Sequence, residues 1–497
     1  MAAIVPRWEW RMFGDPPAVT AAVLETLPIT AVQESDETYY LSRVPDADTV
    51  KLRASLMDVK VLREVDAEGL ERWEPVFKVA FPLSAEDVAR VGRSLRISTT
   101  AQAGPSADLA VFDAVVSAAG IRAVAVHKVR RRFELEGCTG EWTEVTADGL
   151  ETQTIAVESP DAAAVVRARN RLRLDGFVNT DYPSGLAALL DGIPERYAVI
   201  DAGTNSIKFH VAEREPDGAW RAVVDRAEIT RLGEGLEATG RIGAEPLERV
   251  VTAIAGMADE ARAHRVRAIV AVGTAGLRIA SNAAEVLTTI RDRTGVAIEV
   301  ISGEDESRLA YQAAARWGDL GEGPVVVFDT GGGSTQFTFG HGTQVDERFS
   351  VDLGAVRITE RFGLAHAVGP DVIDAARAAI ASDLARIAGR EAPEALVGMG
   401  GAVTNIAAVM HGLAAYDPDV IQGSIVDRAE LDRQIERYRS LDADGRRSIV
   451  GLQPKRAEVI LAGACIVRTV LDLLGQDRLT VSDRGLRHGV LVERFAH

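Results

Sequence analysis

Two segments far apart in the chain share one grammar. Residues 198–206 (AVIDAGTNS) and 326–335 (VVFDTGGGST) each read as an apolar strand, an Asp at its end, then glycine followed by hydroxyl residues. Such an echo constrains the fold strongly, because two like strand–turn units predict two similar lobes facing each other across a cleft. Glycine lets the backbone approach a ligand closely, so successive N–H groups can point at phosphate oxygens. Asp201 and Asp329 then stand at the cleft mouth, where they can hold a metal ion or orient water. Ser206, Ser334 and Thr335 add hydroxyl donors. Around these units the apolar runs YAVIDAG, AIVAVGT, AIEVISG and PVVVFDTGGG alternate with Ala-rich helical stretches. That is an α/β pattern, which places ligands at the carboxyl ends of the strands.

The first 160 residues follow another rule. TVKLRASL, DVKVLREV, RWEPVFKVAF, VHKVRRRFELEG, EWTEVTA and LETQTIAVES alternate as antiparallel strands, with turns at DAEG, LEGCTGE and TADG. AEDVARVGRSL and DAAAVVRARNRLRL have helical periodicity, the second closing this region. DGFVNTDYPSG reads as loop and DGIPER as a link. A chain of 497 residues suggests about three domains. The boundaries read as 1–193, 194–324 and 325–497.

A net charge of −17, spread over both halves, argues against duplex nucleic acid as a partner. A polyanionic substrate would need local metal ions, backbone N–H groups and a few Arg or Lys. No stretch approaches the 18 or so apolar residues of a membrane span, and the N-terminus has no signal-peptide run. Cys138 and Cys465 stand too far apart for a metal cluster or a disulfide framework and read as buried thiols in a reducing, cytoplasmic compartment. His210, His341 and His488 are scattered and read as surface or structural side chains.

The ordered motifs DAGTNSIK, RLGEGL, TAGLRIASN, EVISGEDESRLAY, DTGGGSTQF, VDLGAVRITERF, GMGGAVTN and SDRGLRHGVL are similar, in order and spacing, to the exopolyphosphatase/guanosine-pentaphosphate phosphohydrolase (Ppx/GppA) family over residues ~196–497. The resemblance implies a two-lobed actin-like, ribonuclease-H-like ATPase fold and hydrolysis of a terminal phosphoanhydride. It implies a first phosphate loop of Asp201, Gly203, Thr204, Asn205 and Ser206. The second runs from Asp329 through Gly331, Gly332 and Gly333 to Ser334 and Thr335. Arg231 contacts phosphate from the first lobe, while Gly400, Gly401 and Thr404 line the cleft from the second. Glu304 falls where the family keeps a glutamate that activates the attacking water. Asp201, Asp329 and Glu304 would hold Mg²⁺ or Mn²⁺. The resemblance leaves a homodimer open as the assembly.

The residues themselves give Glu304 two readings. Glu304, Asp305 and Glu306 crowd three carboxylates, which raises the pKa of at least one and suits a general base. SGEDE also reads as a helix N-terminus with first-turn acids, in which Asp305 and Glu306 serve only as caps. Two positions depart from the family pattern. Gln336 stands where an acidic residue follows GGGST, which weakens metal binding, and Ala275 replaces a further acid. The chain ends soon after GLRHGVL, so the extra C-terminal helical domain of longer exopolyphosphatases is expected to be missing.

In the N-terminal region, alternate basic residues (Lys51 and Arg53; Lys128, Arg130 and Arg132) can line the inside of a barrel as an anion site. This is similar to the triphosphate-tunnel (CYTH-like) fold; ordinary charged outer faces are the alternative. The family's Glu-x-Glu-x-Lys signature meets Arg7-Trp8-Glu9-Trp10-Arg11 here, so the first metal-binding Glu is an Arg and binding without hydrolysis is expected. The leading function is release of orthophosphate from inorganic polyphosphate. The alternatives are hydrolysis of guanosine pentaphosphate and, in another class, a non-hydrolytic sensor of polyphosphate or nucleotides.

Overall fold

A computed structural model describes residues 6–44, 48–97, 106–204, 206–215, 217–318, 323–342 and 344–495; Asn205 lies outside the described residues. The N-terminal strands are β1 (Arg7–Phe13), β2 (Ala31–Leu41), β3 (Thr49–Arg53), β4 (Leu56–Val65), β5 (Glu71–Ala80), β6 (Leu83–Ser84), β7 (Ser106–Ala107), β8 (Arg122–Leu135), β9 (Cys138–Ala147) and β10 (Leu150–Ser159). Eight of them close an antiparallel barrel in the order β1-β10-β9-β8-β2-β3-β4-β5, with Arg7 opposite Trp73 at the seam. Closure leaves no unpaired strand edge. TVKLRASL is not one strand: β3 turns into β4 at Ala54 and Ser55, both at positive φ (48° and 63°). No glycine marks that turn, so the sequence hides it.

The interior of the barrel is divided along its axis. Toward one end Tyr39, Leu41, Val124, Val126, Val145 and Ala147 pack against Tyr182 and Leu186 of the helix Tyr182–Leu190. DGFVNTDYPSG is loop, as read, only as far as Asp181; its last four residues, Tyr182–Gly185, are the first turn of this helix. Asp181 caps it by accepting from Ser184 N, and Pro183 occupies its first turn. The helix Ala162–Arg171 covers β1, β9 and β10 from outside.

Two sheets follow. The first holds β11 (Glu195–Ala202), β12 (Ser206–Arg214), β13 (Trp220–Ile229), β14 (Ala268–Gly273) and β15 (Ile298–Val300), ordered β13-β12-β11-β14-β15. The second holds β16 (Pro324–Thr330), β17 (Thr335–His341), β18 (Gln344–Val351), β19 (Ala395–Met399), β20 (Ile425–Asp427) and β21 (Arg478–Val481), ordered β18-β17-β16-β19-β21-β20. In both, an antiparallel three-strand meander continues into parallel strands, β11 beside β14 and β16 beside β19. The echo read in the sequence is thus an echo of topology, and it gives the two-lobed arrangement that the resemblance implies.

Each lobe has its own apolar core. Ile200, Phe209, Ile254 and Met257 belong to the first, and Phe328, Phe337, Leu461 and Ile466 to the second. The last helix, Leu486–Phe495, follows the second sheet in sequence but packs on β11, β12 and the helix Gly303–Gly318. Among the described residues no helix is long and apolar enough to cross a membrane.

The barrel is docked to the first lobe. Phe177 bridges Ala268, Arg267 Nη1 donates to Phe13 O at 3.2 Å, and Arg291 pairs with Glu68.

Candidate functional site

The two strand–turn units match bond for bond. Gly203 N donates to Ser206 O at 3.1 Å, and Gly331 N donates to Ser334 O at 2.9 Å. Asp201 ends β11 opposite Lys208, and Asp329 ends β16 opposite Gln336. Each turn is held by a second glycine motif. Gly233 N donates to Thr204 O at 2.8 Å, and a Cβ on Gly233 would stand 2.3 Å from Thr204 Cγ2. Ala355 N and Val356 N donate to Gly331 O and Gly332 O, both at 2.9 Å, and a Cβ on Gly354 would stand 2.3 Å from Gly332 O. Only glycine admits these approaches.

Lys208 Nζ lies 3.1 Å from the buried carboxylate of Asp201 and is held protonated above its ordinary range by it. Burial pushes Asp329 up from the usual carboxylate value, and the neighbouring Asp201 adds to this, while Lys208 and Arg456 oppose it. Asp201, Lys208, Asp329 and Arg456 therefore share one electrostatic site across the cleft. Gly400, at φ 89°, brings its backbone against Asp329: a Cβ there would lie 2.3 Å from Oδ1. Arg456 packs on Gly401 at the start of the helix Gly401–His411, and burial lowers its pKa against the pull of Asp329.

Several expected contributors stand differently. Thr335 is fully buried and spends its hydroxyl on Leu353 O (2.6 Å) and on Thr330 (2.9 Å), so it braces the loop instead of facing a ligand. Thr404 is buried, with its hydroxyl 3.3 Å from Gly400 O. Among the described residues the hydroxyls of Ser206 and Ser334 have no hydrogen-bond partner. Arg231, at φ 50°, is exposed in the turn whose Gly233 clasps Thr204.

The acidic triplet is resolved by the helix it opens. Ser302 Oγ accepts from Asp305 N at 3.0 Å and donates to its carboxylate at 2.8 Å, a cap that lowers the Asp305 pKa. Glu304 is 74% exposed and pairs with Arg348 at 3.0 Å. Glu306 is the inward residue. It lies 2.8 Å from Arg278, and burial, with Asp201 adding, raises its pKa. The structure thus brings Glu306, not Glu304, into the field of Asp201 and Lys208.

Sequence reasoning passed over Lys208, Arg456 and Arg278 and gave Glu306 only a capping role. Lys208 was within reach, since hairpin pairing across the turn puts it opposite Asp201. Arg456 follows Pro454 and Lys455 outside every motif, and no local signal marks it.

The barrel encloses a second polar site, a cavity of about 210 Å³. Lys51, Arg53, Lys128, Arg130 and Arg132 all line it, as their alternation predicts. Four of them converge on buried Glu37: Arg130 at 2.6 Å, Lys128 at 3.1 Å, Lys51 at 3.2 Å and Arg53 at 3.5 Å. Lys128 has no solvent exposure and is wedged against the rings of Tyr39 and Tyr182, so it is not free to meet an anion. Arg132 has no carboxylate partner among the described residues. Arg11 takes up Glu9 (2.8 Å) and Glu141 (2.9 Å).

The family model described as the Ppx/GppA phosphatase family matches residues 211–496. Exopolyphosphatase 2 of Mycobacterium tuberculosis is 32% identical over 314 residues, covering 59% of this chain and 97% of that protein. A guanosine-5'-triphosphate,3'-diphosphate pyrophosphatase of Aliivibrio fischeri is 30% identical, covering 61% of each chain. Among solved structures, the Aquifex aeolicus Ppx/GppA phosphatase in its type II variant is similar with a TM-score of 0.56 and 31% identity, covering 61% of this chain and 99% of that one.

Proposed function

Because the chain belongs to the Ppx/GppA phosphatase family, we propose that it is a phosphoanhydride hydrolase that releases terminal orthophosphate from inorganic polyphosphate. The observation that carries this reading is the pair of matched turns, which set Asp201 and Asp329 in one field with glycine loops around them. The N–H groups of both loops, with Ser206 and Ser334, hold the oxygens of the terminal phosphoryl group. Lys208, Arg456 and Arg231 offset its charge. Loose phosphoryl transfer asks mainly for such positioning and charge stabilisation.

The donor set suits a hard divalent cation. Asp329 is a half-buried carboxylate whose pKa is raised by desolvation and in part by the charge of Asp201, and a cation relieves that repulsion with oxygen ligands. Asp201 and Asp329 would hold Mg²⁺ or Mn²⁺, with the Gln336 carbonyl as a weaker contributor; the ion supplies charge neutralisation at the phosphoryl oxygens. We assign the water-activating role to Glu306 instead of Glu304, since a half-buried carboxylate with a raised pKa, in the field of Asp201, suits a base near neutral pH.

We take residues 1–193 as a CYTH-like unit that binds anions without cleaving them. In support, its basic interior is largely paired with its own carboxylates, leaving few of them to hold a metal. Both cysteines are free and buried, in keeping with a reducing cytoplasm.

The test is orthophosphate release from long polyphosphate, short polyphosphate and guanosine pentaphosphate, each with Mg²⁺, Mn²⁺ or EDTA. Release from polyphosphate that EDTA abolishes is expected. Release from guanosine pentaphosphate alone would move the assignment to the nucleotide, and no release from any substrate would leave a sensor.

A further inference from the structure

His210 on β12, Asp225 opposite it on β13 and His488 on the last helix converge two residues along β12 from Lys208. Each offers one ligand atom, and the three atoms lie within 4.8 Å of one another. Asp225 Oδ2 stands 3.6 Å from His210 Nδ1 and 3.5 Å from His488 Nε2. These gaps exceed an ordinary hydrogen bond of ~2.7–3.2 Å. They come close to the ~3.3–3.4 Å that separates two ligands each ~2.0–2.1 Å from a tetrahedral zinc ion. The carbonyl oxygen of Val224 accepts a hydrogen bond from His210 Nδ1 at 3.1 Å and offers a fourth ligand to an ion that takes that proton's place, the proton moving to Nε2 of the ring.

We propose that His210, Asp225 and His488, with Val224 O, form a structural site for a zinc-type divalent ion that staples the last helix to the β12–β13 hairpin. Mixed imidazole and carboxylate donors separate it from the hard, all-oxygen set of the cleft. Both imidazoles are 2% exposed or less, and burial pushes their pKa values down, so neither carries a charge that would repel an ion. The outer shell is in place. Arg487 grips Asp225 through Nε (2.7 Å) and Nη2 (3.0 Å), orienting the carboxylate, and Asp483, 3.9 Å from Nη2, offsets the guanidinium charge. Asp225 retains some exposure and gives the ion a way in.

The experiment loads the full-length protein with Zn²⁺ or Co²⁺ in excess Mg²⁺, dialyses it against Mg²⁺ buffer and measures retained metal. About one equivalent per chain should stay bound, with a higher Tm and, for Co²⁺, the visible bands of tetrahedral coordination. His488→Gln and His210→Asn should each lose the ion while Asp329→Asn keeps it. The wild-type arm decides even where a histidine variant fails to fold: retention below about a tenth of an equivalent without cobalt bands overturns the site. An ion lost in Asp329→Asn but kept in His488→Gln belongs to the cleft and overturns it equally.

Discussion

Glu304 and Glu306 stand two positions apart on one helical turn, which aims them to different sides. The outer one meets Arg348 and solvent, the inner one Arg278 and the field of Asp201. Glu306→Gln keeps the shape but removes the basicity, so kcat should fall ~10²–10⁴-fold with KM little changed, while Glu304→Gln should stay within ~3-fold of wild type. Steady-state kinetics on polyphosphate separates the two, and a silent Glu306→Gln would remove the base assignment. A second carboxyl makes a stability statement. Burial raises Glu71 to about 7, with Asp181 adding. An acid whose folded value lies above its ordinary 4.5 keeps its proton where the unfolded chain has lost it. Its stabilising contribution is present below about pH 4.5 and is lost as pH rises through about 7. Glu71→Gln should therefore stabilise the protein by about 1–3 kcal/mol at pH 8 and change little at pH 4. Thermal unfolding at both pH values checks this; equal shifts at both would refute it.

At the scale of elements, the active geometry depends on backbones that touch. The helix Gly303–Gly318 crosses the last helix where a Cβ on Gly489 would lie 2.2 Å from Leu309 O. Nearby, Arg308 reaches Glu493. Gly489→Ala must push the two helices apart, so a loss of about 1–3 kcal/mol in stability is expected, with kcat reduced beyond what the stability loss explains. The two phosphate loops form a second pair of elements. Asp201→Ala and Asp329→Ala should each be severe, and the double variant little worse than either, because both act on one phosphoryl group. Fully multiplicative losses would mean two independent sites.

For the whole molecule, the barrel is the element whose contribution is a matter of chain length. An anion held in the barrel raises the local concentration of its far end at the hydrolytic cleft only if the polymer spans both. Charge reversal at Arg132, which lines the barrel cavity far from the cleft in sequence, should raise KM for long polyphosphate, leave short substrates unchanged, and lose its effect at high salt. Equal KM for long chains in Arg132→Glu and wild type would end the delivery reading. Full-length protein suits this comparison better than a truncation at Pro194, because Phe177 packs on Phe495 and pairs with β14, so deletion would strip apolar contact from the hydrolase.

The sequence by itself determined what local signals encode. Alternation in the first 160 residues specified β3, β4, β5, β8, β9 and β10, six of the eight barrel strands, because a period of two puts one face inward. The two Asp–Gly turns specified two lobes and the pair of glycine loops that face each other in the proposed phosphate site. It missed the β3–β4 turn, which lacks glycine, and the start of the helix Tyr182–Leu190, whose residues up to Gly185 it reads as loop, although Asp181 is the cap and Pro183 a first-turn residue. Only the tertiary structure decided which acid of 304–306 faces inward, that Arg456 enters the field of Asp329, that Glu37 gathers four of the barrel's cations, and that the last helix crosses to the first lobe. Each is a contact between segments tens to hundreds of residues apart. Helical phase and side-chain partners there are set by what packs against the helix or strand, and that information is absent from any local window.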